Sequence, residues 1–457
     1  MPFRKGLIMK YPETITKLFG KLRVDMKTAA EEICTFFLTE DLLRCDGVSF
    51  YLNCGTHAQR TSREEMSALV YCFLNPQQAA AMPTRAVDEA IKRLLLHPSV
   101  KVDAEENRQR SEHVVNMKNG QFDISTGQFS EKRGEIMADY ILNFNYIPKA
   151  QIEQARTFLS FLNSSLSRGY LDCVLRILGY LVSSLTQARK AFLLLGKGST
   201  GKSTILELIE GVVGKDQCSH VPFHRIGNMH ARAEYVGKRL NISRDNSDVP
   251  MKDEDGFKNL VSCEMTTGRR LYQNAVDFVP RLKLIFASNI DLHFKHPDDA
   301  VYDRLLVIPF ENEISSDKRD PDLLKKLLAE RDIIFSAAIN TLPELVKSKY
   351  DFGEPEACKR IIERYRAAIH SAGSFLADCC EQKENETVSS VQLFRRYTAW
   401  CAENGIDADG QKTFYSRVRA YDARIKDSKV YHNGVRVNGF KGISLRLIAE
   451  NDDKSEA

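Results

Sequence analysis

A glycine-rich loop near the middle of the chain has the residue types and spacing of a phosphate-binding site. Gly196, Gly201, Lys202 and Ser203 complete the pattern G-x-x-x-x-G-K-[ST]. Glycines let backbone N–H groups turn toward phosphate oxygens, and a helix start adds its positive dipole end. The lysine can reach the β- and γ-phosphates, and the serine hydroxyl can ligate Mg²⁺. We therefore predict that the chain binds ATP or a similar nucleotide together with Mg²⁺.

The residues around this loop predict the two elements that must position it. Ala191–Leu195 is an apolar run that predicts a buried strand, and Ile205–Ile209 predicts the start of a helix. A strand before, a helix after and the full spacing make a chance glycine-rich turn a poor explanation. The residues expected to contact the nucleotide are Gly196, Gly198, Ser199, Thr200, Gly201, Lys202, Ser203 and Thr204.

Three polar residues follow this loop in an order that suits nucleotide hydrolysis. Asp245 comes after the predicted strand Arg239–Ser243 and is the acidic residue expected beside Mg²⁺. Asn289 comes after the predicted strand Leu282–Ala287 and suits a group that senses the γ-phosphate or positions water. Arg304 suits an arginine that a neighbouring subunit supplies to the transition state. Each residue alone could cap a turn or lie on the surface, but their order favours catalysis.

The composition limits the classes of protein to which the chain can belong. A length of 457 residues suggests roughly two to four domains. No apolar run approaches the ~18–20 residues that span a bilayer, and the first residues lack the features of a secretory signal. The 11 cysteines include no C-x-x-C pair, which is typical of reduced thiols. The sequence therefore predicts a soluble cytoplasmic protein without a membrane partner.

Periodicity and motif placement predict a multidomain α/β protein with a P-loop ATPase core. A hairpin is predicted early in the chain, where Val114–Met117 and Gln121–Ile124 flank an Asn-Gly turn. The predicted divisions are an α+β N-terminal domain of unclear role at 1–145, a helical bundle with the ATPase domain at 146–347, a helical linker at 348–375, a C-terminal domain at 376–450 and a disordered tail at 451–457.

The C-terminal domain at 376–450 has the predicted layout of a winged helix. Helices over about 388–403 and 411–424 precede two strands, at about 428–432 and 435–446.

Basic residues are concentrated in this predicted winged helix. Nine basic residues and two acidic ones lie between Gln411 and Arg446, although the net charge of the chain is only +4. Such an excess is typical of a surface that binds nucleic-acid phosphates, and a solvated basic surface is the alternative. The residues expected to contact DNA on the second helix are Lys412, Tyr415, Arg417 and Arg419.

Several motifs in the stretch from about 114 to 447 resemble those of superfamily 3 helicases, particularly the phage/plasmid primase–helicase family. The chain reads GKGSTGKST at the loop, VGKRLNISRD at the second strand, LIFASN at the sensor strand and DRLLVIPF at the arginine-finger segment. NMKNGQFDISTG upstream and DPDLLKKLLAE downstream resemble flanking segments of that family. The order of these motifs is more diagnostic than any one of them.

The resemblance implies a hexameric AAA+ ring that hydrolyses ATP and translocates on single-stranded DNA. Lys202 and Ser203 would hold phosphate and Mg²⁺, Asp245 would be the acidic residue of the second motif, Asn289 the sensor and Arg304 the finger across the subunit interface. The implied partners are single-stranded and forked DNA, other copies of the chain in a homo-hexamer, and a primase or another replication protein. The basic residues that fall where such rings contact DNA in the pore are Lys258, Arg269 and Arg270.

Two features depart from the family pattern. The family often has two acidic residues after the second strand, whereas this chain has Arg244, Asp245 and Asn246. Asp245 then works alone or with Asp248, and hydrolysis could be slow. Residues 1–145 carry no acidic metal-binding pair or zinc motif, which favours a helicase without priming activity.

A short segment after the loop also carries metal-type side chains. Cys218, His220, His224 and His230 have the types that zinc prefers, but their spacing matches no standard zinc site. We therefore interpret them as loop residues.

The leading hypothesis is an ATP-dependent replicative DNA helicase of a phage, plasmid or other mobile element. The alternative is a DNA-binding replication initiator or helicase loader that uses ATP only to assemble. The weak acidic character around Asp245 favours that alternative, and sustained DNA-stimulated turnover would exclude it. A P-loop kinase for a small molecule is a third hypothesis, and it leaves the predicted winged helix unexplained.

Overall fold

The computed structural model describes the chain in the following ranges: residues 28–39, 43–45, 50–53, 58–73, 80, 82–103, 109–131, 140–244, 246, 249–269, 274–292, 294–295, 297–315, 319–422, 424–432 and 434–446. The chain forms two compact units, one drawn from residues 1–293 and 308–355 and the other from residues 294–307 and 356–457. None of the helices in these ranges is long and apolar enough to cross a membrane.

The first elements pack three helices and a small sheet around one apolar cluster. They are α1 (Ala29–Thr39), β1 (Leu43–Cys45), β2 (Phe50–Asn53), β3 (Ala58–Thr61), α2 (Arg63–Phe73) and α3 (Thr84–Leu96), with the strands antiparallel in the order β1-β2-β3. Helix α3 buries Val87, Ala90 and Leu94 because residues at this spacing share one helix face. They lie in the same cluster as Ile33 and Phe37 of α1.

A three-stranded antiparallel sheet follows, and it confirms the predicted hairpin but shifts its turn from Asn119-Gly120 to one residue earlier. Its strands are β4 (Val114–Met117), β5 (Gly120–Asp123) and β6 (Gln128–Ser130). Met117 pairs with Gly120, so Lys118 and Asn119 form the two-residue turn. The Asn119 side chain donates to the Tyr146 carbonyl at 2.9 Å and accepts from its N–H at 2.8 Å. These hydrogen bonds attach the turn to the segment that leads into the next helices.

The central segment of the chain alternates helices and strands. Its elements are α4 (Arg156–Ser165), α5 (Leu171–Val182), β7 (Ala191–Leu195), α6 (Lys202–Val213), β8 (Cys218–Ser219), α7 (Met229–Arg232), β9 (Leu240–Ser243), α8 (Glu254–Val261), β10 (Thr266–Gly268), β11 (Val276–Phe278), β12 (Lys283–Ser288), α9 (Asp299–Asp303) and β13 (Leu305–Pro309). Strand β7 has the predicted bounds, and β9 and β12 lie within one residue of theirs. Short 3₁₀ turns lie at Pro98–Val100, Ile152–Gln154, Lys215–Gln217, Phe223–Arg225 and Ala233–Tyr235.

Five of these strands form a parallel sheet in the order β13-β7-β12-β9-β8. Every residue of β9 and β12 is buried, as expected for a parallel sheet that is covered on both faces. In such a sheet the carboxyl ends of the strands meet at one edge, where ligands usually bind. The architecture is therefore mixed α/β, with a sheet that is compatible with a P-loop core.

Three helices complete the first unit: α10 (Leu323–Ala329), α11 (Arg331–Asn340) and α12 (Leu342–Lys347). Helix α11 packs closely against α5, nine of whose twelve residues are buried. A Cβ on Gly179 of α5 would lie 2.4 Å from the carbonyl oxygen of Ala338 of α11. Glycine therefore permits the close approach of these two helices.

The second unit contains α9 and a C-terminal group of helices and short strands. That group comprises α13 (Glu356–Cys379), β14 (Cys380–Glu381), β15 (Thr387–Ser389), α14 (Ser390–Glu403), α15 (Gln411–Tyr421), β16 (Lys426–His432), β17 (Val435–Lys441) and β18 (Ser444–Leu445). The strands form a three-stranded sheet, β15-β17-β16, and a β14-β18 pair. Phe375, Tyr397, Trp400 and Phe414 lie in its core, where Tyr397 and Phe414 stack at 4.1 Å.

Candidate nucleotide-binding site

The phosphate-binding loop begins where β7 meets its two neighbouring strands. The Gly196 N–H donates to the Ser288 carbonyl at 3.1 Å, and the Phe310 N–H donates to the Leu195 carbonyl at 2.6 Å. A Cβ on Gly196 would lie 2.0 Å from the Phe310 carbonyl oxygen. Only glycine fits this position, so the start of the loop is held against the carboxyl edge of the sheet.

Backbone conformation then turns the loop into helix α6. Gly201 has a φ of +92°, and Ser199 has a φ of +61°. A Cβ on Gly201 would lie 2.6 Å from the Phe161 ring, and the Ile314 N–H donates to the Ser199 carbonyl at 2.9 Å. A Cβ on Gly198 would meet no atom within 4 Å, so this part of the loop opens outward.

Lys202, the first residue of α6, places its ammonium group inside the loop. Its Nζ donates to the Gly196 and Lys197 carbonyls, each at 2.6 Å, and to the Thr200 hydroxyl at 3.2 Å. The residue is only 6% exposed, and Thr200 is buried beside it. A positive charge therefore lies inside the loop, held by two backbone carbonyls and one hydroxyl.

The remaining predicted nucleotide contacts lie on the first turn of α6. Ser203 is exposed, and Thr204 is half-buried. An exposed hydroxyl directly after the lysine can ligate a divalent cation that accompanies the phosphates. The loop, its glycines and this turn therefore fit a nucleotide with Mg²⁺.

Asn289 directly follows the residue of β12 that pairs with the end of β7. Ser288 is the partner of Leu195 in the parallel register, and the Asn289 side chain is exposed. The register therefore brings this predicted sensor to the same edge of the sheet as the loop.

Asp245 and Asp248 lie outside the described residues, but both neighbours of Asp245 are described. Arg244 donates to Glu210 of α6 at 2.7 Å and lies 3.5 Å from Glu207. The second oxygen of Glu210 lies 3.1 Å from the His220 ring. Arg244 is therefore neutralised by carboxylates of α6 and holds the end of β9 against that helix.

Asn246 is a buried residue at this edge to which no sequence motif gives a role. Its Oδ1 accepts from the Ser243 hydroxyl at 2.9 Å and from the Phe223 N–H at 2.8 Å. Its Nδ2 donates to the Ala287 carbonyl at 2.9 Å. One amide therefore joins the ends of β9 and β12. The only sign of this role in the sequence is that a polar residue follows closely after an apolar strand.

Arg304 belongs to the second unit, whereas the loop belongs to the first. It ends α9, and its guanidinium donates to the Ala300 carbonyl at 2.8 Å. Helix α9 is attached to α13 by an ion pair of Arg366 with Asp303 and by a hydrogen bond between His370 and Asp299 at 3.2 Å.

Two of the three predicted pore residues are described, one on α8 and one directly after β10. Asp253 caps α8 by accepting from the Gly256 N–H at 2.8 Å, and Lys258 pairs with Asp255 at 2.8 Å. Arg269 is exposed directly after β10, and its carbonyl lies 2.9 Å from the His230 ring. Arg270 lies outside the described residues.

Three of the four predicted DNA contacts on α15 have partners within the unit. The Tyr415 hydroxyl donates to the Ser390 carbonyl at 2.9 Å. Arg417 pairs with Asp409 at 2.7 Å, and Arg419 pairs with Asp427 at 3.0 Å. Within the described part of the chain, the exposed Lys412 has no ion-pair partner.

The cysteine and histidines between residues 218 and 230 do not share a common contact. His220 pairs with Glu210, and the ring of His230 lies beside the Arg269 carbonyl. Burial raises the pKa of the Cys218 thiol to about 12, so the thiol holds its proton at neutral pH. No cluster of three His, Cys, Asp or Glu side chains suited to a metal occurs among the described residues.

The central segment matches a family model. The family is described as one of unknown function, DUF5906, and the match covers residues 194–304. That range contains the loop, β9, β12 and Arg304.

One curated protein and several solved structures are similar to the chain. A protein of Acanthamoeba polyphaga mimivirus, named "Putative helicase", is 22% identical over 232 residues, which is 48% of this chain and 24% of the viral protein. The chain thus matches about a quarter of the length of that relative. Two apo structures of the NrS-1 C terminal region are 10% and 9% identical, with TM-scores of 0.49 and 0.44, and cover 90% of this chain and 98% of theirs.

Proposed function

We propose that this chain is an ATP-dependent replicative DNA helicase of a phage, plasmid or other mobile element. The observation that carries the proposal is the buried Lys202 ammonium, which lies inside a glycine loop at the carboxyl edge of a parallel sheet. The name of the mimiviral relative supports a helicase rather than another P-loop enzyme.

The proposed nucleotide chemistry uses residues from both units. Lys202 binds the β- and γ-phosphates, and Ser203 holds Mg²⁺ together with Asp245. Asn289 contacts the γ-phosphate or the attacking water. When bound, Mg²⁺ would neutralise charge on the phosphates. Arg304 is proposed to act on the nucleotide of a neighbouring copy in an AAA+ ring of superfamily 3 type.

The proposed DNA contacts belong to two surfaces. Lys258, Arg269 and Arg270 would line the pore of a homo-hexamer and track phosphates without reading bases. The helices and hairpin of the C-terminal group would form a winged helix that binds forked or single-stranded DNA. A primase or another replication protein is the proposed further partner.

The test is an ATPase assay with and without single-stranded DNA, run beside unwinding of a forked duplex. We expect DNA-stimulated turnover and strand separation, and we expect Lys202→Ala to abolish both. Turnover without strand separation under any nucleotide condition would contradict the helicase assignment but not the ATP site.

A replication initiator or helicase loader is the second candidate. The observation that favours it is the position of Arg244, which pairs with Glu210 where helicases of the resembled family often have a second acid. This candidate predicts DNA binding with negligible turnover in the same assay.

A further inference from the structure

The exposed positive charge of the C-terminal group is concentrated on the β16–β17 hairpin rather than on α15. Arg417 and Arg419 of α15 are neutralised by Asp409 and Asp427. Between residues 426 and 441 the only acidic residue is Asp427, and the basic residues, all exposed, are Lys426, Lys429, Arg436 and Lys441.

One face of this hairpin combines two of those charges, on Lys429 and Arg436, with an exposed aromatic ring. In the antiparallel register Tyr431 lies opposite Arg436, and Lys429 lies opposite Asn438. Because side chains alternate along a strand, these four residues share one face. Tyr431 is 77% exposed, and Arg436 has no carboxylate partner among the described residues. Lys429 donates to the neutral Asn438 amide at 2.6 Å and has no carboxylate partner in the described part of the chain.

The same face leads to a cavity at the base of the hairpin. The cavity has a volume of about 350 Å³, and Tyr415, Arg419, Asn438 and Phe440 line it. Phe440 is buried opposite Asp427, with the Arg419 guanidinium 5.7 Å from its ring. An extended ligand would therefore have a continuous path from the ring of Tyr431 along the hairpin into this cavity.

We propose that this hairpin face binds an unpaired segment of DNA, with a base stacked on Tyr431 and phosphates beside Arg436 and Lys429. A base can stack on the exposed Tyr431 ring only if one face of the base is not already stacked on another base. This condition favours binding of a single strand over binding of the interior of a duplex. Because the hairpin has a net positive charge, its preferred partner is one with regularly spaced negative charges, such as a phosphate backbone. This inference rests on the proposed function, since it names the surface with which the helicase would hold its DNA.

The experiment measures the binding of the full chain to a fluorescein-labelled oligothymidine by fluorescence anisotropy, without nucleotide. We expect Tyr431→Ala to weaken binding about tenfold or more, because one base–aromatic stack is lost. Tyr431→Phe should bind within about twofold of the unmodified protein, because it keeps the ring. Tyr421→Ala, which removes an exposed ring from α15, is the matched control and should bind normally.

A salt series tests the charged part of the proposal. Arg436→Ala should reduce the slope of log Kd against log salt by about 0.7, the value for one lost phosphate contact to a single strand. Arg395→Ala, which removes an exposed charge from α14, should leave the slope unchanged. Photocrosslinking with a bromouracil oligonucleotide gives an independent readout, in which the labelled peptide should contain Tyr431.

Failure of this inference and failure of the proposed function give different results. If the unmodified protein unwinds DNA while Tyr431→Ala binds the oligonucleotide equally well, the hairpin site is wrong and the helicase assignment stands. A protein that binds no single-stranded DNA at all overturns both. Crosslinks confined to the β10–β11 hairpin would also overturn the proposed site.

Discussion

Two asparagines at the same edge of the sheet have opposite surroundings. Asn246 is buried and makes three hydrogen bonds that join Ser243, Phe223 and Ala287, whereas Asn289 is exposed. We expect Asn246→Ala to lower the free energy of unfolding by about 1–3 kcal/mol, because it leaves buried polar groups without partners. Asn289→Ala should change stability by less than about 0.5 kcal/mol.

Urea unfolding of the two variants measures this difference directly. An Asn246→Ala variant as stable as the unmodified protein would show that the bridge at Asn246 does not hold the sheet edge together, and a loss in Asn289→Ala would contradict the minor role expected for that side chain. The rate of ATP turnover also distinguishes the two variants, because we expect Asn289→Ala to fold normally but to hydrolyse ATP slowly.

The role proposed for Arg304 can be tested by mixing two inactive variants. Arg304→Ala and Lys202→Ala should each lower ATP turnover by about 10³ or more, and Arg304→Ala should still bind nucleotide. In a mixed ring, a Lys202→Ala copy can supply Arg304 to the intact loop of its neighbour. Equal mixing should therefore restore turnover at about a quarter of the interfaces. A mixture no more active than its components would contradict action between copies.

At the residue scale, the sequence predicts groups whose partners are close along the chain. The loop, Lys202 and Ser203 were predictable because they form one short motif. The bridging role of Asn246 was not predictable, because its side chain contacts a carbonyl of β12 that is 41 residues away. The partners of Arg417 and Arg419 were also unpredictable, since Asp409 lies on the loop before the helix and Asp427 on the strand after it.

At the element scale, the carboxyl end of α5 holds two basic side chains. Arg239 donates to the Val182 and Ser183 carbonyls at 3.2 and 3.0 Å, and Lys283 of β12 also donates to Ser183. The positive charge of Arg239 there complements the helix dipole. Complete burial, with a smaller contribution from Arg239, nevertheless holds the pKa of Lys283 well below its usual range.

This depressed pKa makes the stability of the sheet depend on pH. Between the folded pKa and about 10.4, the unfolded chain binds a proton that the folded chain does not, so stability rises with pH. We expect the free energy of unfolding to increase from pH 7 to pH 10 relative to that of Lys283→Met. Arg239 still satisfies the Ser183 carbonyl in this variant. Parallel pH profiles of the two proteins, measured by urea unfolding, would contradict the expectation.

The bounds of β7, β9 and β12 were predictable because each is an apolar run that ends at polar residues. The order of the strands in the sheet was not, since it depends on contacts between distant segments. The sequence also places the basic residues of the C-terminal group on a helix and a hairpin but does not show which of them are neutralised.

At the scale of the whole molecule, the proposed ring has a defined mass. With a slowly hydrolysed ATP analogue and single-stranded DNA, we expect a particle of about six times the 51.9 kDa chain. Mass photometry measures it, and the same sample without the ATP analogue and DNA is the control that should assemble less. A particle that stays at one chain with DNA bound would contradict the ring.

The second unit is assembled from two separate stretches of chain, and this affects synthesis. Helix α9 buries Tyr302 near Tyr365 of α13, with the rings 5.7 Å apart. During translation α9 leaves the ribosome before α13, by about 2–10 s at ordinary elongation rates. A shortened gene ending at residue 355 would leave Tyr302 without this partner. Recombinant fragments should therefore keep residues 294–307 and 356–446 in one polypeptide.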